Sequence, residues 1–365
     1  MYNFLYMKKA RFGILFFLAL LLAFIGLIFV FEASSVRALN ETGNSFHYFK
    51  LQLVWIVLGI AALCFFSLFD YHKLYYLSFP LMTLTIILLV LVLIPGIGSQ
   101  AGGARRWLDL GIINFQPTEI AKFSVIIYLA SWFTHKEKKR FFSFLSLLGV
   151  LMLLIVLQPD MGTAIIVFFT GVIIYFLAGV ELSYLILLIP GSFVAFYILT
   201  HISPYRLRRF TAFLNPSSDP LGIGYHINQI LISLGNGGLF GRGFGASRQK
   251  YLYLPEAHTD SIFAIMSEEL GFIGSSLVIF CFFILTYKMF QVVRIAPDRL
   301  GRLLAGGILF YFCLQITINL AGMINLIPLT GVPLPFVSYG GSNLLVSFAL
   351  IGILFNISKK AKKGR

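Results

Sequence analysis

Five residues in one short stretch carry much of the polar chemistry this chain could perform. Residues 250–271 read KYLYLPEAHTDSIFAIMSEELG. They include Glu256, His258, Asp260, Glu268 and Glu269, in a chain of 365 residues with only 14 acidic side chains. The stretch passes from a polar loop into an apolar run. A carboxylate at the mouth of a membrane is costly to place, which makes it a candidate for function. If a helix opens at Pro255, Glu268 lies about 12 Å deeper than Asp260. Asp260 is then expected at the water interface, with Glu256 a second candidate one turn above it. Glu268 and Glu269 are expected to be structural.

Other chemistries lack their signatures. One His among scattered carboxylates makes no zinc site, and neither HExxH nor CxxC occurs. No GxSxG marks a nucleophile. The glycines of GRGFG, residues 241–245, are not followed by the Lys-Ser/Thr of a phosphate loop. A carboxylate at a water interface is compatible with Mg2+ or Mn2+ at Asp260 without requiring either.

The elements that position these groups are membrane helices. The chain is 59% hydrophobic and 12% charged, with a mean hydropathy of +0.90, which excludes an ordinary soluble domain. Its 39 phenylalanines suit a lipid-facing surface. Apolar runs predict ten spans, at about 11–33, 51–69, 76–95, 116–134, 142–158, 160–180, 182–200, 261–287, 303–327 and 335–357. The runs are continuous rather than alternating, so the expectation is all-α and not a β-barrel. The first run is expected to be a span rather than a cleavable signal. Cys64, Cys281 and Cys313 lie in apolar runs and are expected in the core.

A net charge of +14 could suggest nucleic acid. Its placement instead predicts topology. Alternate segments carry Lys8, Lys9 and Arg11; Lys73; Lys136, Lys138, Lys139 and Arg140; Lys288, Arg294, Arg299 and Arg302; and a C-terminal cluster from Lys359 to Arg365. By the positive-inside rule both termini are cytoplasmic, and the C-terminal cluster also touches anionic lipid. The one long loop, residues 201–260, then lies outside, between the seventh and eighth spans, within a single unit covering 1–365. Its amphipathic run Tyr225–Leu234 predicts interfacial helices.

Four inward-running helices are expected to open with proline, at Pro117, Pro159, Pro255 and Pro335. Their shared side predicts one outward-facing site built from several helix mouths. Glu119 and Lys122 are three apart and can pair. They form either a structural ion pair or a device in which Lys122 keeps a catalytic carboxylate ionised. The outer basic residues Arg242, Arg248 and Lys250, with Arg206, Arg208 and Arg209, serve either a solvated, headgroup-binding face or an anionic substrate group such as a lipid pyrophosphate.

Seven motifs in order carry a resemblance. They are GARRWL with Arg105, Arg106 and Trp107; QPTEIAK with Glu119 and Lys122; QPDMGT with Gln158 and Asp160; Gly224-Tyr225-His226 with Gln229; LPEAHTD, residues 254–260; EELG, residues 268–271; and PFVSYGGS with Ser338, Tyr339 and Ser342. Together they resemble the SEDS family (shape, elongation, division and sporulation; the FtsW, RodA and SpoVE types) over nearly the full length. Ser261 stands where that family usually has Phe, Thr118 where it often has Ser, and Asn343 where a second Ser is usual.

The resemblance implies a peptidoglycan glycosyltransferase, more like the FtsW branch, in the bacterial cytoplasmic (inner) membrane. It implies polymerisation of lipid II on the outer face, with Asp260 as the essential aspartate and Trp107 as a motif residue on which activity depends. Asp260 is expected as general base, supported by Lys122, Glu119, Trp107, Glu256 and His258. Substrate contacts are expected from Arg105, Arg106, Gln158, Asp160, Arg242, Arg248, Lys250, Ser338, Tyr339 and Ser342. Implied partners are a class B penicillin-binding protein (a transpeptidase), other division proteins and membrane lipids, with no nucleic acid. The rivals are a lipid II flippase, an elongation-type RodA-like polymerase and a non-catalytic division scaffold.

Overall fold

A computed structural model describes residues 2–101, 104–109, 111, 114–135, 140–179, 182–216, 219 and 222–363. Gly103, Lys136, Lys138, Lys139 and Arg365 lie outside the described residues.

The described chain is mostly helical. Its helices are α1 (Tyr2–Thr42), α2 (His47–Leu68), α3 (Lys73–Leu91), α4 (Pro117–Trp132), α5 (Phe141–Leu157), α6 (Met161–Leu177), α7 (Leu182–Ile202), α8 (Pro204–Leu214), α9 (Ile223–Gly237), α10 (Ile262–Ile295), α11 (Arg299–Met323) and α12 (Gly341–Lys363). Six of them, α1, α2, α3, α10, α11 and α12, contain stretches long and apolar enough to cross a membrane. Helices α5 and α6 are apolar but have 17 residues each, and α4 has 16. At 1.5 Å per residue those three measure about 25 Å, short of a hydrocarbon core of about 30 Å.

Packing follows from the apolar faces. Helix α12 lies along α2, α3 along α4, and α10 along α9 and α11. Phe144, Phe282, Phe312 and Phe348 are buried, whereas Phe17, Phe79, Phe142 and Phe283 are exposed, as expected for rings that meet lipid. At one end of the bundle the α2–α3 turn joins α11 and α12. Asp70 pairs with Lys360, while Tyr71 and His72 reach Asp298, which caps α11.

Three local features depart from the sequence expectation. First, the chain expected to be all-α holds a small sheet between α3 and α4. Strands β1 (Gly98–Ala101), β2 (Ala104–Asp109) and β3 (Asn114–Phe115) form an antiparallel sheet in the order β1-β2-β3. Strands this short carry too little alternation to be legible.

Second, only one of the four prolines opens its helix. Pro117 is the first residue of α4. Helix α6 starts at Met161, capped by the Asp160 carboxylate on Thr163 N at 3.1 Å. Helices α10 and α12 start at Ile262 and Gly341, several residues after Pro255 and Pro335. The intervening segments are turns, held by Ser261 N on Glu256 O at 3.1 Å and by Leu334 N on Ser338 Oγ at 2.8 Å. Glu256 and Phe336 in these turns have φ of 49° and 64°, left-handed values that cost energy and tend to gather at functional sites.

Third, α10 is broken at Gly271, where φ is 71° and ψ is −171°. The glycine-rich loop crosses at the break. A Cβ on Gly271 would stand 2.1 Å from Gly241 N, and one on Gly241 would stand 2.1 Å from Glu269 O. Only two glycines allow that approach. The loop then satisfies the broken helix, through Arg242 N to Glu268 O at 3.0 Å and Phe272 N to Gly238 O at 2.8 Å.

Candidate functional site

Asp260 lines an open cleft of about 430 Å3, its solvent-facing space included. Arg209 of α8, Ile223 and His226 of α9, Ile318 and Asn319 of α11, and the segment Leu329–Val332 complete much of its wall. Four separate parts of the chain therefore converge on one carboxylate. Asp260 sits in a turn just before α10 rather than one turn into a helix.

Two contacts fix that turn. Asn319 Nδ2 donates to Asp260 O at 2.9 Å and to Val332 O at 2.8 Å. The neighbouring Ser261 Oγ lies 2.8 Å from His226 Nε2. The Ser at 261 thus serves as a polar strut between α9 and the turn. Opposite the carboxylate, Gly331 has φ of 75°, and a Cβ there would stand 3.2 Å from Asp260 Oδ2.

The electrostatics single out Asp260. Residue 260 stays partly accessible through the cleft, yet desolvation is the largest influence on it and lifts the carboxyl to about 7. Glu256 pushes the same way and Asp160 adds to it, while Arg209 and Arg106 pull back. Among the described residues no cation lies within ion-pair distance of Asp260. At neutral pH the carboxyl is poised between its two forms, as a proton acceptor should be. Burial also lowers His226 and His258 to about 4, so both imidazoles are neutral at neutral pH.

The supporting residues fall into two groups. Arg106, on β2, donates through Nε to Gln158 O at 2.9 Å and through Nη2 to Pro159 O, which pins the sheet beside the α6 mouth. Trp107 follows on the same strand, where Ser99 Oγ donates to its carbonyl at 3.2 Å. Gln116 Nε2 reaches Asp160 Oδ2 at 3.4 Å, and Gln116 N donates to Ser342 Oγ at 3.2 Å. The α4, α6 and α12 mouths are thereby joined. His258 packs against Tyr48 and Tyr339, with ring centroids 4.8 and 5.5 Å away. Glu256 is exposed, accepts from Thr259 Oγ1 at 2.9 Å and lies 3.9 Å from Arg37.

Several residues expected to contact substrate are occupied elsewhere. Gln158 is buried, with Nε2 on Leu89 O at 3.2 Å. Ser338 and Ser342 hold backbone amides. Lys250 is 8% exposed and pairs with Glu32 at 2.6 Å, with Glu269 at 3.7 Å and Gly245 O at 2.6 Å. Arg242 lies 3.8 Å from Glu268. Arg105 and Arg248 remain exposed. Lys122 does not serve as the nearest cation of Asp260. It pairs with Glu119 at 2.6 Å and lies 5.7 Å from the Tyr311 ring centroid; Arg209 and Arg106 pull the Asp260 carboxyl down, but burial outweighs them.

Sequence reasoning missed Asn319 and Gly331 and did not single out Arg209 or His226 for the site. Asn319 lies four residues after Gln315 inside an apolar span. Two amides on one helix face in a membrane were the available signal. Among the described residues no three His, Cys, Asp or Glu side chains come together to hold a metal ion. A single carboxylate such as Asp260 can share Mg2+ with substrate phosphates and water, without a protein cage.

Known proteins resemble this chain over nearly its full length. The family model described as "Cell cycle protein", covering FtsW, RodA and SpoVE, matches residues 13–363. The chain is 40% identical over 351 residues to stage V sporulation protein E of Bacillus subtilis, covering 94% of this chain and 96% of that one. It is 40% identical over 345 residues to the probable peptidoglycan glycosyltransferase FtsW of Trichlorobacter lovleyi, covering 92% and 90%. A solved chain from work on polymerization and crosslinking by a peptidoglycan synthase complex superposes with a TM-score of 0.77, at 26% identity over 95% and 97% of the two chains. By the extent of these matches, the chain belongs to the FtsW/RodA/SpoVE family of cell cycle proteins, the SEDS proteins.

Proposed function

We propose that this protein is a peptidoglycan glycosyltransferase that polymerises lipid II on the outer face of the bacterial cytoplasmic membrane, serving cell division. The observation that carries the reading is Asp260, a carboxylate raised to about 7 and set without an ion-pair partner among the described residues, in a cleft with Arg209 on its wall. The likeness to an FtsW-named relative supports it.

The step needs one base. Asp260 takes the proton of the 4-hydroxyl on the incoming lipid II sugar. The freed oxygen attacks the anomeric carbon of the growing glycan's last sugar, and the bond to lipid pyrophosphate breaks. An α-linked donor gives a β-1,4 product by inversion, with no covalent intermediate. General-base help of this kind is typically worth about 10²–10⁴-fold. Arg209 and Arg106 are cations whose charge reaches Asp260, and Arg209 on the cleft wall would offset charge on the departing undecaprenyl pyrophosphate. A divalent cation would arrive with that pyrophosphate rather than on a protein cage. Sensitivity to chelator tests this.

The topology belongs to the same reading: a single unit of ten spans, both termini inside, and 201–260 outside. Proximity of the α2–α3 turn, the α11 start and the α12 end supports it, because all three fall on the expected inner face. A transpeptidase partner is supported by the likeness to the synthase-complex chain. Other division proteins and membrane lipids complete the expected contacts, with no nucleic acid.

The test is purified protein with lipid II. Asp260→Asn is expected to yield no glycan, and polymer at the wild-type rate would sink the assignment. Movement of lipid II without polymer by the wild-type protein would favour a flippase. Normal division with Asp260→Ala would favour a scaffold.

A further inference from the structure

Asn319 offers a hydrogen-bond acceptor that nothing in the protein uses. Asn319 is 3% exposed and lines the Asp260 cleft. Both hydrogens of its amide nitrogen are spent, on Asp260 O at 2.9 Å and Val332 O at 2.8 Å. A flipped amide would set an oxygen against two carbonyl oxygens, so the orientation is dictated by its neighbours. That leaves Oδ1 as the remaining polar atom, and it is buried with no partner. A buried acceptor left unmatched is costly, and a site that carries one discriminates strongly for a ligand that supplies the donor.

We propose that Asn319 is a specificity residue whose Oδ1 accepts a hydrogen bond from an N–H or O–H group of the sugar held in the Asp260 cleft. The proposal rests on the polymerase reading. It adds that one amide does two jobs: its nitrogen fixes the turn that carries the base, and its oxygen reads the sugar beside that base. An acetamido N–H and a ring hydroxyl both supply the required chemistry. Gln315, one turn earlier on α11, is the internal control. Its Nε2 holds Pro333 O at 2.9 Å and its Oε1 is likewise unmatched, but it is not part of the cleft wall. The cleft position, not the vacant oxygen alone, distinguishes Asn319.

The experiment measures kcat/KM of the full-length protein on lipid II and on analogues that each lack one donor. These are single deoxy sugars that keep the attacking 4-hydroxyl, and a sugar with an ester oxygen in place of the acetamido N–H. On wild type and Gln315→Leu, one analogue is expected to lose about 10- to 100-fold. On Asn319→Leu and Asn319→Ala, lipid II itself is expected to fall and that analogue to fall no further. Equal analogue penalties in wild type and the Asn319 variants overturn the proposal. So does a wild-type enzyme that treats all analogues like lipid II, a result that needs no variant to fold. Polymer made by Asp260→Asn would break the polymerase reading instead. A dead Asp260→Asn with unchanged analogue penalties breaks only the Asn319 assignment.

Discussion

Asp260 and the pair Glu268–Glu269 lie within ten residues of one another, yet the fold treats them in opposite ways. Glu268 accepts from Ser247 Oγ at 2.5 Å and has Arg242 3.8 Å away. Glu269 accepts from Ser247 N at 3.2 Å and has Lys250 3.7 Å away. Lys250 in turn reaches Glu32 of α1. These carboxylates tie the long loop to the broken α10 and to α1. Asp260 has a cleft, two more distant arginines and a raised pKa. The matched charges of Glu268 and Glu269 hold the protein together, and Asp260, with no ion-pair partner among the described residues, is available for chemistry at an open cleft.

The largest effects should separate the two regions cleanly. Asp260→Asn is expected to lower lipid II polymerisation by about 10²–10⁴-fold while the melting temperature in detergent holds or rises. The sign follows from linkage. A carboxyl raised above its ordinary 3.8 to about 7 destabilises the fold as pH climbs past the lower value, and Asn removes that cost. Lys250→Met should do the reverse. It strands Glu269 and Glu32, and breaking a buried pair costs about 3–5 kcal/mol. Yield and melting temperature should fall, while folded protein keeps its specific activity.

Smaller changes sharpen the contrast within the cleft. Gly331→Ala puts a methyl against Asp260 Oδ2 at a left-handed backbone position. A loss of about 1–2 kcal/mol in stability with a lower kcat/KM is expected by melting and steady-state assay. Arg209→Gln removes a cation that lowers the Asp260 pKa. The rising limb of activity against pH should then move to higher pH, as a titration of initial rates would show.

Much of the frame was legible because lipid imposes it. Continuous apolar runs located the long helices, and the scarcity of acid in them pointed to residues 256–269. The failures have physical causes. Pro255 reads as a helix start, but Glu256 and Ser261 close a turn that delays α10 to Ile262. GRGFG carried no ligand motif because its glycines serve a backbone crossing at Gly271. Lys250 looked like a substrate cation, and it found a carboxylate that only the tertiary fold brings near. Asn319 could be flagged only as a second amide on an apolar helix face, because its partners are backbone carbonyls of remote segments.

The central claim is that Asp260 acts as the base from an environment that raises its pKa. The most direct measurement is the pH dependence of kcat/KM for lipid II polymerisation by the wild-type protein. A limb rising through about pH 7, absent from any residual activity of Asp260→Asn, is the predicted result. A rate flat from the ordinary carboxylate range to neutrality, or the same limb in Asp260→Asn, would contradict it.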